Sequence, residues 1–163
     1  MTVYFLRHAS AGERKKDLGK DIKRGLDRAG IDQASSMGRV LAGLEVHMDA
    51  IVTSPLKRAA QTATLVANEM GFDGKLQISP ALAPGATYSA FQRLLSHYSG
   101  FDVILLVGHK PNLMHFLGRL IGGSARPARI AMPKGGLAKV ELVRSGAALE
   151  WLLTPKTVKS VER

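Results

Sequence analysis

The chain predicts a three-layer α/β/α sandwich on a mostly parallel central sheet, with an antiparallel hairpin at its C-terminal edge. Three observations carry that prediction. Short apolar runs alternate with longer segments of three-or-four-residue apolar spacing, the pattern of strand–helix units that cover both faces of a parallel sheet. Two of the runs, Val3-Tyr4-Phe5-Leu6 and Asp102-Val103-Ile104-Leu105-Leu106-Val107, are apolar without alternation, as strands buried on both faces are. The last two runs, Leu137 to Val143 and Ala148 to Leu153, flank Ser145-Gly146 and read as a hairpin.

At 163 residues the chain is most simply one domain, residues 1–163, long enough to bury about two thirds of its unfolded surface. No apolar run reaches membrane-spanning length, and the first strand is too short and too soon followed by charge to be a signal peptide. The absence of cysteine excludes disulfides, thiolate metal sites and cysteinyl-phosphate chemistry, and fits a reducing cytoplasm. With 23 Lys+Arg against 13 Asp+Glu the formal charge is +10. Such a surface favours an acidic partner (phosphoprotein, nucleotide, nucleic acid or anionic membrane), against the plainer reading of a solvated basic face.

The elements run in order from the N-terminus. The first strand, Val3 to Leu6, ends in Arg7-His8, a dipeptide too polar for the core. Ala9 to Arg24 has mixed charge, glycines and no apolar period, and reads as a loop over the strand end. Asp27 is a helix cap, its carboxylate accepting from orphan N–H groups, and Gly30, Ala34, Met37, Leu41 and Leu44 form the inward face behind it. Ala50 to Thr53 is the second strand. Ser54-Pro55 reads as a helix start, with Ser54 as N-cap and Pro55 at the first helical position, and the helix runs to about Met70. Its inward residues are Ala59, Ala63, Val66, Ala67 and Met70. Leu76 to Ile78 is a weaker third strand. Pro80 and Pro84 interrupt the chain after it, and Tyr88, Phe91, Leu94, Leu95 and Tyr98 mark another helix. The fourth strand, Asp102 to Val107, closes in Gly108-His109-Lys110-Pro111. Pro111 opens a helix through Leu113, Leu117, Leu120 and Ile121, which Gly122-Gly123 ends. A loop spans Ser124 to Gly135 before the hairpin, and Thr154 to Arg163 reads as a fraying tail.

Matching chemistry stands at three strand ends. The first carries Arg7 and His8. The second carries Ser54, with Arg58 one turn into the next helix and leaning back toward the strand's carboxyl edge. The fourth carries His109. In a parallel sheet these ends share one rim, which is where ligands bind in open α/β folds. Each residue alone has an ordinary structural reading, but two His and two Arg at successive rims form a constellation. Paired histidines also suit a metal, yet two neighbouring guanidiniums repel a divalent cation and no acidic residue adjoins either histidine. The surroundings fit an anion, because Arg offers a planar fork of donors matched to phosphate oxygens and a helix N-terminus adds N–H groups. Phosphoryl transfer needs in-line positioning and charge stabilisation. A neutral His8 imidazole can supply the nucleophile, Arg7 and Arg58 the clamp, and His109 the donor to the transferring group. No cofactor and no metal are called for.

Three stretches resemble the signatures of the histidine phosphatase superfamily, the phosphoglycerate mutase-like group with an Arg-His nucleophile motif. They are Leu6-Arg7-His8, Ser54-Pro55-Leu56-Lys57-Arg58-Ala59-Ala60-Gln61-Thr62-Ala63 and Val107-Gly108-His109-Lys110-Pro111. Small size, Arg24-Gly25-Leu26-Asp27-Arg28-Ala29-Gly30 and Met132-Pro133-Lys134-Gly135-Gly136-Leu137-Ala138 are similar to the SixA branch of bacterial phosphohistidine phosphatases. The resemblance implies a phosphoglycerate mutase-like fold, His8 as nucleophile, and Arg7, Arg58 and His109 around the phosphate. Ala9 replaces a usual Gly, and Gly25 and Asp27 a usual Pro and Thr, which leaves the role of Arg24 open.

Ester-cleaving and mutase members of that superfamily carry an acidic proton donor after the third strand. Ser79 to Gln92 contains no Asp or Glu. An alkoxide leaving group needs a proton as the P–O bond breaks, whereas imidazole, with a pKa of about 6.5, leaves readily. The expected substrate is therefore a phosphoramidate: a phosphohistidine protein, such as a phosphorelay or phosphotransfer component. Glu13, Asp17 or Asp21 on the first loop keeps small phosphate esters or nucleotides open, and a non-catalytic basic phosphate-binding module is the reading from another class. The aromatic stacking residues of single-strand binders are missing, which argues against nucleic acid. His47, His97 and His115 read as surface or packing residues, and Arg126, Arg129 and Lys134 as a solvated basic loop. Partner identity and oligomeric state stay open.

Overall fold

β1 (Thr2–Arg7) lies inside a six-stranded sheet and touches a different set of helices on each face. A computed structural model describes residues 1–162. The elements after β1 are α1 (Leu18–Ile22), α2 (Arg28–Gly43), β2 (Ala50–Thr53), α3 (Lys57–Met70), β3 (Gln77–Ile78), a 3₁₀ turn (Pro80–Leu82) and α4 (Tyr88–His97). Then come β4 (Val103–Gly108), α5 (Asn112–Gly122), β5 (Leu137–Val143), β6 (Gly146–Leu153) and α6 (Pro155–Val161). The sheet order is β3-β2-β4-β1-β5-β6.

Strand side chains alternate between faces. Val3 and Phe5 join a core with Phe91, Leu113 and Leu117 from α4 and α5. Tyr4 and Leu6 join a second core with Met37, Leu41, Ala63 and Val66 from α2 and α3. Both faces are covered, which is why β1 reads as an unbroken apolar run rather than an alternating one. Each fully buried Leu or Phe contributes roughly 1.5–3 kcal/mol by leaving water.

β1, β4, β2 and β3 pair in parallel, so their carboxyl ends share one rim. β5 runs antiparallel to β1, pairing Leu137 with Leu6, so the chain just before β5 arrives at the same rim. The α/β/α architecture with its antiparallel C-terminal edge is the predicted one.

Four expectations need correction. The first loop contains a short helix, α1, capped by the Asp17 carboxylate, which accepts the Lys20 N–H at 2.9 Å. None of its residues is buried, so it has no apolar period to detect. Leu44 is exposed rather than inward, because α2 stops at Gly43 and the chain turns away. Ser54 is not the cap of α3, which begins at Lys57 with Leu56 as its N-cap. The expected fraying tail is helical over Pro155–Val161. Thr154 accepts the Thr157 N–H at 3.1 Å, and Val158 is buried against the α2–α3 core. Arg163 lies outside the described residues. In addition, β3 is two residues long and β6 begins at Gly146. No helix among the described residues is long and apolar enough to cross a membrane.

Candidate active site

Arg7 ends β1 and His8 follows it, Arg58 is the second residue of α3, and His109 follows β4. All four line one cavity of about 990 Å³ on the carboxyl rim. The His8 and His109 ring centroids are 5.0 Å apart. The sheet ladder fixes the spacing, since the His8 amide donates to the Gly108 carbonyl at 2.9 Å.

Local bonds decide which ring nitrogens are available. His8 Nδ1 lies 2.8 Å from the Ala9 carbonyl oxygen. A carbonyl only accepts, so Nδ1 carries the hydrogen and Nε2 keeps its lone pair. Ala9 is held in turn, its amide donating to Thr62 Oγ1 at 3.1 Å. Because Ala9 acts through its main chain, a methyl group in place of the more usual Gly does not disturb the contact.

His109 is fixed by a partner that sequence reasoning missed. Its Nε2 lies 2.7 Å from Ser54 Oγ, and that oxygen already accepts the Leu56 N–H at 3.3 Å. Ser54 is fully buried and its hydroxyl hydrogen has no other acceptor among the described residues, which assigns that hydrogen to Nε2. Nδ1 of His109 therefore carries the proton. Strand order is the signal that exposes this pairing: β2 lies beside β4, and the Ser54 amide donates to Val107 O at 3.0 Å. No local pattern in the sequence encodes that order.

The guanidiniums are each held at one end. Arg7 Nη1 donates to the Met132 carbonyl at 2.9 Å. Arg58 Nη1 donates to the Asp21 carbonyl at 3.1 Å and lies 3.4 Å from Asp21 Oδ2. Their Nε atoms, with His109 Nδ1, are buried donors without a hydrogen-bond partner among the described residues. A buried unpaired donor costs about 1–3 kcal/mol. Three such donors on residues of one cavity mark a place for a multidentate acceptor such as a phosphoryl group. A fourth, Arg119 Nε, lies away from this cavity, where its guanidinium stacks 4.1 Å over the Tyr88 ring.

Burial keeps both imidazoles neutral. His8 is pushed down to about 4, first by desolvation and then by the positive field of Arg58 and Arg7, against the opposing pull of its bond to Ala9. His109 is pushed down to about 3 by desolvation, His8 and the same guanidiniums.

The late segment also reaches the site. Gly135 donates its N–H to the carbonyls of both Arg7 and His8 at 3.1 Å. It does so at φ 73°, and an added Cβ would stand 2.9 Å from Pro155 Cγ. Lys134 lines the cavity, whereas Arg126 and Arg129 are exposed on the loop away from it. His47, His97 and His115 are exposed. Arg24 lies at the cavity wall, its Nε donating to Asp21 Oδ1 at 2.8 Å and its Nη1 to Gly12 O at 2.9 Å. Asp17 serves α1 as its cap. The Asp21 carboxyl is held below the usual carboxylate range by the Lys15 N–H and by Arg24. Glu13 lines the cavity with its side chain exposed.

The family model of the histidine phosphatase superfamily (branch 1) matches residues 3–83, which hold two of the three signature segments. An uncharacterised protein of Picosynechococcus sp. strain PCC 7002 is 33% identical over 151 residues, covering 91% of this chain and 87% of that one. Phosphohistidine phosphatase SixA of Escherichia coli strain K12 is 26% identical over 163 residues, covering 98% of this chain and 97% of that one. The solved structure of the protein histidine phosphatase SixA complexed with tungstate superposes with a TM-score of 0.85 at 24% identity, over 97% of this chain and 99% of that chain. Motif and sequence point to one family and the fold matches it: the chain belongs to the histidine phosphatase superfamily.

Proposed function

We propose that this phosphatase hydrolyses protein phosphohistidine through a covalent phosphohistidine on His8. The observation that carries the reading is the set of three unpartnered buried donors, Arg7 Nε, Arg58 Nε and His109 Nδ1, on residues that line one cavity with His8, whose Nε2 is bare. In the first step the Nε2 lone pair attacks phosphorus in line, and the bond from phosphorus to the substrate imidazole breaks. Arg7 and Arg58 hold the non-bridging oxygens, and His109 donates to the charge that develops on them. An imidazole whose second nitrogen is already protonated leaves as a neutral ring, so no general acid is required. Water then attacks the phosphorus of phospho-His8, the P–N bond returns its electrons to Nε2, and inorganic phosphate departs as the dihydrogen anion carrying both water protons.

The cavity wall supports a phosphoramidate substrate. The segment after β3 contributes Ala83 and Pro84, and residues 79–92 hold no carboxylate. The decisive experiment compares kcat/KM on a phosphohistidine protein, p-nitrophenyl phosphate and phosphoserine with EDTA present throughout. Turnover of the first far above phosphoserine, with phosphate trapped on His8 by acid-free quench, is expected. Equal turnover of phosphoserine, dependence on a metal ion, or an unimpaired His8→Gln variant would each refute it.

A second reading, hydrolysis of small phosphate esters or nucleotides, is favoured by Glu13, a carboxylate on the cavity wall that could protonate an alkoxide. It predicts that Glu13→Gln abolishes phosphoserine turnover while sparing phosphohistidine.

A further inference from the structure

The first loop carries an unsatisfied surface at the mouth of the cavity. Leu18 is 77% exposed and Ile22 49% exposed, one helical turn apart on α1, and both border the cavity. No residue of α1 is buried, so these two apolar side chains contribute nothing to the core. The same loop exposes the cations Arg14, Lys15, Lys16, Lys20 and Lys23. Of the loop's three acids, Asp17 is engaged on the Lys20 amide and Asp21 on Arg24, Arg58 and the Lys15 amide, which leaves Glu13 as the one exposed carboxylate against the exposed cations. Positive charge is left facing outward around an apolar pair, with Lys110 and Lys134 on the cavity's other walls.

We propose that α1 and its lysines form a docking surface for an acidic protein that presents its phosphohistidine beside an exposed apolar side chain. This rests on the phosphohistidine reading of the cavity. An apolar centre inside a charged rim is the anatomy of a protein interface, in which the buried centre supplies affinity and the rim supplies steering. Charge selects the partner: a chain of +10 with its outward lysines crowding one mouth repels basic phosphoproteins and attracts acidic ones. A single turn of helix with two apolar side chains fits a protein groove better than a bilayer, since an interfacial membrane helix needs a far larger apolar face.

The test uses three substrates: an acidic protein phosphorylated on histidine by phosphoramidate, phosphohistidine-bearing histone, and free phosphohistidine. Two variants are compared with the parent, Leu18→Gln/Ile22→Gln and Lys16→Glu/Lys20→Glu. The acidic phosphoprotein is expected to give a kcat/KM at least roughly tenfold above histone, falling steeply between about 50 and 300 mM salt, the range over which screening shortens such steering. Each double variant is expected to lose about tenfold on the acidic phosphoprotein while keeping its rate on free phosphohistidine within about twofold, on the order of one or two interface side chains. Equal kcat/KM on acidic and basic proteins, or equal losses on free phosphohistidine, would overturn the proposal. So would variants unaffected on the phosphoprotein, including the case where they lose only binding to phosphatidylserine–phosphatidylcholine vesicles. If the parent fails on free phosphohistidine as well, the reading of the cavity fails instead, and the two failures are told apart.

Discussion

Acid should unfold this protein early, and the reason lies in the two imidazoles of the proposed active site. His8 and His109 are 6% and 2% exposed, and their pKa values sit at about 4 and about 3. An unfolded histidine titrates near about 6.5. Between roughly pH 6.5 and 4 the unfolded chain therefore binds protons that the folded chain refuses, and stability falls as pH falls. The contribution of neutral burial is fully present above the unfolded pKa and is lost progressively as the pH drops toward the folded one. Each group adds a slope of up to about 1.4 kcal/mol per pH unit, so the pair gives up to about 2.7 in mid-window and a total of several kcal/mol, comparable with a whole domain's margin. The carboxylates held low, Asp21, Asp27 and Glu141, lose their contribution only at more acid pH. Urea unfolding midpoints at half-unit steps from about pH 7 to 4.5 measure the slope, and His8→Gln should remove about half of it with the m-value unchanged. A stability that stays flat across that range, or a slope that neither His8→Gln nor His109→Gln reduces, would show that these imidazoles are not buried neutral and would undo the nucleophile assignment with them.

Other outcomes rest on the same contacts. Ser54→Ala removes the hydroxyl that holds His109 Nε2 at 2.7 Å; kcat should fall about five- to tenfold, the worth of a hydrogen bond of about 1 kcal/mol, and Ser54→Thr should restore part of it. Arg58→Lys keeps the charge but loses the fork that reaches both Asp21 and the cavity, and should cost about 100-fold in single-turnover phosphorylation of His8, as loss of one preorganised donor typically does. Gly30→Ala would put a Cβ 1.8 Å from Ser10 O where α2 meets the first loop. It should lower stability by about 1–3 kcal/mol in urea titration, and a neutral result would disprove that close approach.

The parts of the fold legible in the sequence are those with a strong local cause. β2 spans Ala50 to Thr53 as expected, because four buried residues end at a polar stop, and Asp27 caps α2 by accepting the Gly30 N–H at 2.8 Å. α1 leaves no trace in the apolar pattern because it buries nothing, its stability coming from the Asp17 cap and the Asp21 anchors. α6 carries a readable Thr-Pro start but only one buried residue, Val158, too little for a periodicity. Ser54 misleads for a physical reason. A Ser-Pro pair is a good helix start locally, but the neighbouring β4 offers the hydroxyl a buried imidazole, and tertiary contact overrides the local preference. At the site, the residue types and their common rim are legible. Which ring nitrogen is free is not, because that depends on a carbonyl and a hydroxyl whose positions only the sheet order supplies.

The stretch from Arg58 to Thr62 makes structural sense as a single device. Within little more than one helical turn it fastens three separate points of the segment between β1 and α2 to α3. Arg58 bonds the Asp21 carbonyl at 3.1 Å, Gln61 Oε1 accepts the Leu26 amide at 2.8 Å, and Thr62 accepts the Ala9 amide at 3.1 Å while donating to Arg58 O at 2.7 Å. The last of these is the closest to the chemistry. Thr62 holds Ala9, the Ala9 carbonyl holds the His8 Nδ1 hydrogen, and that hydrogen keeps Nε2 bare. Thr62→Val keeps the shape and removes the acceptor, leaving the buried Ala9 amide unpaired at a cost of about 1–3 kcal/mol. The local effect should be larger than the global one, because the freed carbonyl no longer fixes the ring. A Thr62→Val protein that folds normally should phosphorylate His8 slowly, with phosphate affinity nearly unchanged, since Arg7, Arg58 and His109 keep their places. Loss of phosphate binding together with the rate would mean that Thr62 positions the anion rather than the nucleophile.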